Sequence, residues 1–147
     1  MKIIILGASQ VGRSICEVLV SENNDVTVVD LNGAALSKLL DQYDIRTVKG
    51  NAAYPAVLSN AGADDADIVI AVTDSDELNM LACHIASIKF GTPTKIARIR
   101  SNQYRDATDL FHENGLAVDV VISPEAILTN LISRLVDHPG AFQVLDF

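Results

Sequence analysis

Short apolar runs rich in β-branched residues recur along the chain, at Lys2–Leu6, Asp25–Asp30, Ile45–Lys49, Asp67–Val72, Lys95–Arg100 and Val118–Ile122. Where such a run is unbroken, as in Ile3-Ile4-Ile5-Leu6, both faces of the strand must be covered, as they are in parallel α/β sheets. Between the runs the spacing becomes helical. Val11, Ile15, Val18 and Leu19 make one stripe over residues 10–22, and Leu36, Leu39 and Leu40 are expected to form the inner face of a second helix. Residues 76–90 are apolar nearly all round, which predicts a helix buried on more than one side or placed at an interface. Ile127, Leu128, Leu131, Ile132 and Leu135 predict a late helix opened by Ser123-Pro124, and residues 141–147 read as a last strand. This βαβ rhythm predicts a doubly wound parallel sheet with helices on both faces.

Composition narrows the picture. A chain of 147 residues, 49% apolar and 20% charged, suits one well-packed domain. Mean hydropathy is +0.27, yet no apolar run approaches the ~18 residues of a membrane-spanning helix, so no direct membrane insertion is expected. Eleven Lys and Arg face nineteen Asp and Glu, a formal charge of -8 that disfavours nucleic acid and anionic membranes as partners. A small anion remains compatible, because a helix N-terminus binds one through backbone N–H groups. Cys16 and Cys83 are far apart and the three histidines have no metal-ligand spacing, so two reduced core cysteines are expected.

The chemistry concentrates at the first strand-to-helix turn, Gly7-Ala8-Ser9-Gln10-Val11-Gly12. This is the place of the Rossmann dinucleotide fingerprint, with Ser9 where the middle glycine usually stands. Gly7 suits a tight turn and Gly12 close helix–strand packing. Asp30 ends the second strand twenty-three residues after Gly7, where a carboxylate accepts hydrogen bonds from ribose hydroxyls. A 2′-phosphate beside it would meet a repulsion of at most ~4 kcal/mol per unit charge at 4 Å with an effective dielectric of 20, which favours NAD or an adenosine nucleotide over NADP. Later loops add candidates. Asn51 contacts ribose or base, or else closes a plain Gly-Asn turn. Asp74 and Glu77 have the spacing of a capping box, and Arg98 and Arg100 would share one side of an extended strand.

Together with Val28-Val29-Asp30, Val48-Lys49-Gly50-Asn51-Ala52, Ala71-Val72-Thr73-Asp74-Ser75-Asp76-Glu77-Leu78-Asn79-Met80 and Ala97-Arg98-Ile99-Arg100, that opening makes the chain resemble the N-terminal nucleotide-binding domains of the RCK/KTN family of potassium-transport regulators. The resemblance runs through essentially the whole chain. It implies a cytoplasmic regulator, without enzymatic activity, that binds NAD(H), with ATP or ADP as alternative ligands, and passes its ligand state to a membrane potassium transporter subunit. Carried over by position, Gly7, Ala8, Ser9, Gln10 and Val11 would meet the phosphates, Asp30 the ribose, and Thr73, Asp74 and Arg98 the nucleoside side, with Asn51 as a further contact. It also implies homo-oligomers, for which the 76–90 and 127–136 helices are candidate surfaces if they are not core. Residues 1–136 would be the nucleotide-binding domain and 137–147 a linker and terminal strand leading to a further region.

Two other readings compete. An NAD-dependent dehydrogenase needs an acid/base residue beside the nicotinamide. Tyr43, Tyr54 and Tyr104 lack a lysine four residues on, and His84, His112 and His138 fall in helix patterns or a linker. A P-loop NTPase needs GxxxxGK[ST], and the chain reads Gly7-x4-Gly12-Arg13-Ser14, with Arg in place of the required Lys.

Overall fold

The structure is a computed structural model that describes residues 1–112 and 114–122, together with the backbone of 143–145. The strands are β1 (Lys2–Leu6), β2 (Asp25–Asp30), β3 (Arg46–Lys49), β4 (Ile68–Ala71), β5 (Thr94–Arg98), β6 (Val120–Ile122) and β7 (Gln143–Leu145). They form one sheet in the order β3-β2-β1-β4-β5-β6-β7, parallel at every pairing. The helices are α1 (Gln10–Ser21), α2 (Gly33–Gln42), α3 (Pro55–Asn60), α4 (Asp76–Phe90) and α5 (Asn102–Arg105). The doubly wound fold expected from the strand rhythm is therefore present. The helix expected over residues 127–136 lies outside the described residues.

Alternation along β1 divides the core. Ile3 and Ile5 face Ile15, Cys16 and Leu19 of α1 and Leu36 and Leu39 of α2. Ile4 and Leu6 face the opposite layer, with Leu58 of α3 and Met80, Cys83 and Ala86 of α4. Ile3, Ile4, Ile5 and Leu6 are all at most 2% exposed, and each such side chain contributes about 1.5–3 kcal/mol on burial. That energy holds β1 in the interior of the sheet, with its carboxyl end at the point where strand order reverses.

The second helix departs from expectation at one position. Leu40, placed on its inner face by spacing, is 47% exposed. Leu39 and Leu40 lie ~100° apart around the helix on opposite flanks of Leu36. Because α2 packs near the β3 edge of the sheet, only one flank meets strands. The helix over residues 76–90 divides similarly: Met80, Ala82, Cys83 and Ala86 are buried, while Leu81 and Ile88 are exposed. Part of this helix is core and part is surface. The short α3 and α5 carry too few apolar repeats for spacing to reveal them.

The corner joining β1 to α1 depends on two glycines. Gly7 sits at φ +117, and a Cβ there would come within 2.9 Å of the Val72 carbonyl oxygen. A Cβ on Gly12 would fall far inside contact distance of the Gly7 carbonyl oxygen. Gly12→Ala is therefore expected to cost about 2–3 kcal/mol through overpacking against backbone. Gly91→Ala, at φ +65 with nothing within 4 Å of the added atom, is expected to cost about 1–2 kcal/mol from backbone conformation alone. Urea denaturation of the two variants measures the difference.

Both cysteines are free and fully buried. Burial, with a smaller effect from Glu17, pushes the Cys16 thiol up from 9.0 to about 11, and burial pushes Cys83 higher still. The folded state holds these protons where the unfolded state has released them, so their contribution to stability falls as pH rises from 9 through about 11. Native protein should react with a thiol reagent at neutral pH only at its unfolding rate. Fast labelling of the folded chain contradicts this burial.

Candidate functional site

At the switch point between β1 and β4, the carboxyl ends of four strands surround an open cleft of about 160 Å³. Gly7 and Ser9 line it from the β1 end, Asp30 and Leu31 from the β2 end. Gly50 and Ala52 follow β3, and Thr73, Asp74 and Leu78 close the β4 side. Crevices of this kind are where open α/β sheets bind ligands.

Ser9 is the N-cap of α1, but its side chain caps no backbone N–H, and the first turn contains no acid. The opening N–H groups of a helix have no intrahelical acceptor. Here they carry the helix's positive end toward the cleft, with no acid in the helix's own first turn. Gln10 and Val11 begin this turn, although neither side chain lines the cleft.

Asp30 binds the loop internally. Its Oδ2 accepts from the Ala8 backbone N–H at 2.7 Å, and its Oδ1 accepts from the Asn32 N–H at 2.7 Å. One carboxylate thus joins the β1–α1 loop to the turn that opens α2, where the Asn32 side chain in turn accepts from Ala34 and Ala35. An ionised carboxylate has about four acceptor positions, so two remain for hydroxyl donors in the cleft. Ala8 itself is 3% exposed, and its N–H is already engaged by Asp30.

Opposite Asp30, Thr73 is held by Asn79, a residue 0% exposed in α4. Asn79 Oδ1 accepts from Thr73 N–H at 2.9 Å and from Thr73 Oγ1 at 2.6 Å. Its Nδ2 donates to Thr73 O at 3.1 Å and to Arg98 O at 2.8 Å. All four hydrogen-bonding positions of the amide are used, and they tie the β4 loop, α4 and the end of β5 together. No role for Asn79 follows from motif spacing; its one sequence signal is an amide between Leu78 and Met80 in a largely apolar stretch.

The remaining candidates lie behind the cleft wall. Arg98 is 2% exposed; its Nη2 pairs with Asp74 Oδ1 at 3.6 Å and its Nη1 donates to Val72 O at 3.5 Å. Arg100 does not share a strand face with Arg98, because β5 ends at Arg98. Instead its exposed Nη2 donates to Asp74 O at 2.7 Å. The expected capping box at Asp74 and Glu77 is not formed: Ser75 is the N-cap and accepts from Leu78 N–H, while the Glu77 carboxylate pushes the Tyr104 hydroxyl above its ordinary pKa. Asn51 uses its Oδ1 to accept from Ala53 N–H at 2.9 Å, closing a turn beside the cleft. Spacing also missed Leu31, 66% exposed at the cleft mouth, and Leu78; together they give this end an apolar lining.

His84 Nδ1 accepts from Ala117 N–H at 3.1 Å, well away from the cleft. Among the described residues, no group of three or more His, Cys, Asp or Glu is placed to hold a metal ion. No helix among them is long and apolar enough to cross a membrane.

A parallel sheet of this strand order, with a glycine-bounded turn after β1 and an acid at the end of β2, defines a Rossmann-type domain. The chain belongs to the TrkA-N domain family, whose pattern matches residues 3–124. It is 53% identical over 147 residues to the Trk system potassium uptake protein TrkA of Halomonas elongata, covering 100% of this chain and 32% of that protein. The TrkA of Vibrio alginolyticus is 51% identical over 148 residues, again covering 100% of this chain and 32% of the relative. The chain thus spans about a third of the length of these curated relatives.

Solved structures share the fold at low identity. ChuY, an anaerobilin reductase from Escherichia coli O157:H7, superposes with a TM-score of 0.75 at 16% identity, covering 99% of this chain and 96% of that one. Kef CTD of Shewanella denitrificans in its AMP-bound form gives 0.67 at 16% identity, covering 95% and 83%. The GsuK channel bound to NAD gives 0.64 at 24% identity, covering 78% of this chain and 20% of that one.

Replacing Asn79 by leucine keeps its approximate volume but strands Thr73 N–H, Thr73 O and Arg98 O. The variant is expected to lose about 3 kcal/mol, since each buried unsatisfied group costs about 1–3 kcal/mol. Asn79→Asp should lose a similar amount, because its charge would face two carbonyl oxygens. Urea midpoints check both; a loss below ~0.5 kcal/mol would remove Asn79 as the link between these elements.

Proposed function

We propose that this domain binds an adenine nucleotide, NAD(H) with ATP or ADP as alternatives, and that its ligand state regulates a membrane potassium transporter subunit. The observation that carries this reading is the Asp30 carboxylate. It lines the cleft, is held by Ala8 N–H, retains free acceptor positions, and stands beside an uncapped helix start. The Ser9, Gln10 and Val11 turn would receive the phosphates, Asp30 the ribose hydroxyls, and Thr73 and Asp74 the nucleoside side. Gly7 gives the backbone its approach, Ala8 and Arg98 hold the walls, and Asn51 shapes the loop beside them. The potassium uptake naming of the relatives, together with AMP in Kef CTD and NAD in GsuK, supports the same assignment.

Regulation without a reaction requires only that the ligand bind one arrangement of the domain and its partners more tightly than another. A nucleotide held between Asp30 and Thr73 would bridge the two halves of the sheet and favour the arrangement in which those loops stand at the bound distance. We assign the chain to the cytoplasmic side of its transporter and to a homo-oligomer. Residues 1–136 would form the nucleotide-binding domain, and 137–147 would lead on toward the remaining length seen in the relatives. The shared fold with ChuY leaves a reductase as the second reading, and steady oxidation of NADH with small carbonyl or tetrapyrrole substrates would support it.

Thermal unfolding with NADH, NAD, NADPH, ATP and ADP tests the nucleotide assignment. Ligand at a hundred times its dissociation constant adds ~2.7 kcal/mol, or roughly 5–11 °C at this chain length. NADPH should shift the transition less than NADH, because Asp30 opposes a 2′-phosphate. Asp30→Ala should itself melt lower, since Ala8 and Asn32 lose their acceptor, and it should show no ligand shift from that lower baseline. Asp41→Ala, at an exposed position, should keep the full shift. No shift from any of the five nucleotides would sink the assignment.

A further inference from the structure

Three positions of the turn after β1 take glycine in the dinucleotide fingerprint, each for its own reason. Two of those reasons lie in this chain's own backbone. Gly7 turns at φ +117, where an added Cβ would come within 2.9 Å of the Val72 carbonyl oxygen, and a Cβ on Gly12 would overlap the Gly7 carbonyl oxygen. The middle position differs. Ser9 sits at φ -74 and ψ -175, extended backbone that any residue adopts. No backbone constraint calls for glycine there, so a side chain at this position acts on the space above the turn, where a diphosphate approaches.

That space belongs to the cleft. Ser9 lines it together with Gly7, Asp30 and Thr73, and Ser9 is exposed. Although Ser9 is the N-cap of α1, its hydroxyl caps no backbone N–H. Its Cβ and Oγ therefore stand on the ligand side of the turn, with one O–H donor not committed to the helix.

Two kinds of diphosphate respond differently to that side chain. In NAD(H) the diphosphate is a bridge: each phosphorus is esterified to a ribose and carries a single negative charge, and the group must lie along the turn for both nucleosides to leave it. A serine side chain holds such a bridge away from the N–H groups of the helix start. In ADP the second phosphate is terminal, with three free oxygens and a charge of about -1.5 to -2 at pH 7. It can tilt past the Ser9 Cβ, set one oxygen on the hydroxyl and another on the helix-start N–H groups, and hydrogen bonds to such charged acceptors are the stronger ones.

Building on the nucleotide assignment above, we propose that Ser9 is the residue that sets the choice of nucleotide in this cleft. Its side chain disfavours a dinucleotide bridged through its diphosphate, and its hydroxyl favours a nucleoside diphosphate whose last phosphate is free. Asp30 acts on the ribose in both cases and does not discriminate between them.

Isothermal titration calorimetry of the whole chain with ADP and NADH tests the proposal on the wild type, Ser9→Gly and Ser9→Ala. Ser9→Gly should tighten NADH about five- to tenfold, because the bridge then reaches the backbone. Ser9→Ala, which lacks the hydroxyl, should weaken ADP about five- to tenfold. Both variants should melt within about 3 °C of the wild type, since the side chain caps nothing. If either affinity changes by less than about threefold, the role of Ser9 is overturned while nucleotide binding stands. The same follows if Ser9→Ala melts more than about 3 °C lower, because the hydroxyl then caps α1 in solution. If neither ADP nor NADH binds the wild type, the nucleotide assignment fails first, and the proposal falls with it.

Discussion

The structure depends on how closely α1 can approach the end of β1. Gly12 sits where any side chain would overlap the Gly7 carbonyl, and Gly7 turns the chain in a conformation that favours glycine. With both in place, α1 starts immediately above the central strand and points its uncapped N–H groups over the carboxyl edge of the sheet. A helix pushed away by one methyl group would leave a gap in the layer formed by Ile3, Ile5, Ile15 and Leu19. It would also move the start of α1 out of line with Asp30. Core packing and ligand geometry are therefore set by the same contact.

Asp30 shows how one carboxylate can tie two loops together while lining a cleft. Its hydrogen bonds to Ala8 and Asn32 fix the β1–α1 loop and the opening of α2 relative to each other. Asn79 plays the corresponding part across the switch point, where it secures Thr73 to α4 and β5. Each half of the cleft is thus cross-linked internally by side-chain hydrogen bonds. Under the proposed nucleotide reading, a ligand spanning them would act mainly on their separation.

Several elements were legible from spacing because their side chains encode them locally. β1, α1 and β2 each carry an unbroken apolar run or a helical stripe, and the 76–90 helix begins and ends where its composition says. Leu40 was not legible, because its exposure depends on which flank of α2 reaches the sheet. Nor was the N-cap at Ser75. The Asp74 and Glu77 spacing satisfied the same motif, and the choice fell to Ser75 once Asp74 was drawn toward Arg98 and Arg100. The hydrogen bonds of Ala8 and Asn51 were not legible for a similar reason: both engage neighbouring backbone or side-chain groups that only the folded loops bring near.

By itself the sequence determined the parallel sheet, the glycine corner and the acid at the end of β2, since strand burial, turn geometry and charge are properties of local residue order. It also carried the family resemblance through motifs that follow one another along the chain. Tertiary structure decided which of the candidate residues line the cleft, that Asp30 is shared between loop and ligand space, and that Asn79 secures the opposite wall. Those outcomes rest on hydrogen bonds between residues such as Asp30 and Ala8, or Asn79 and Arg98, that lie far apart in sequence. Such partners are chosen by where packed helices and strands place them, and no local pattern records that placement.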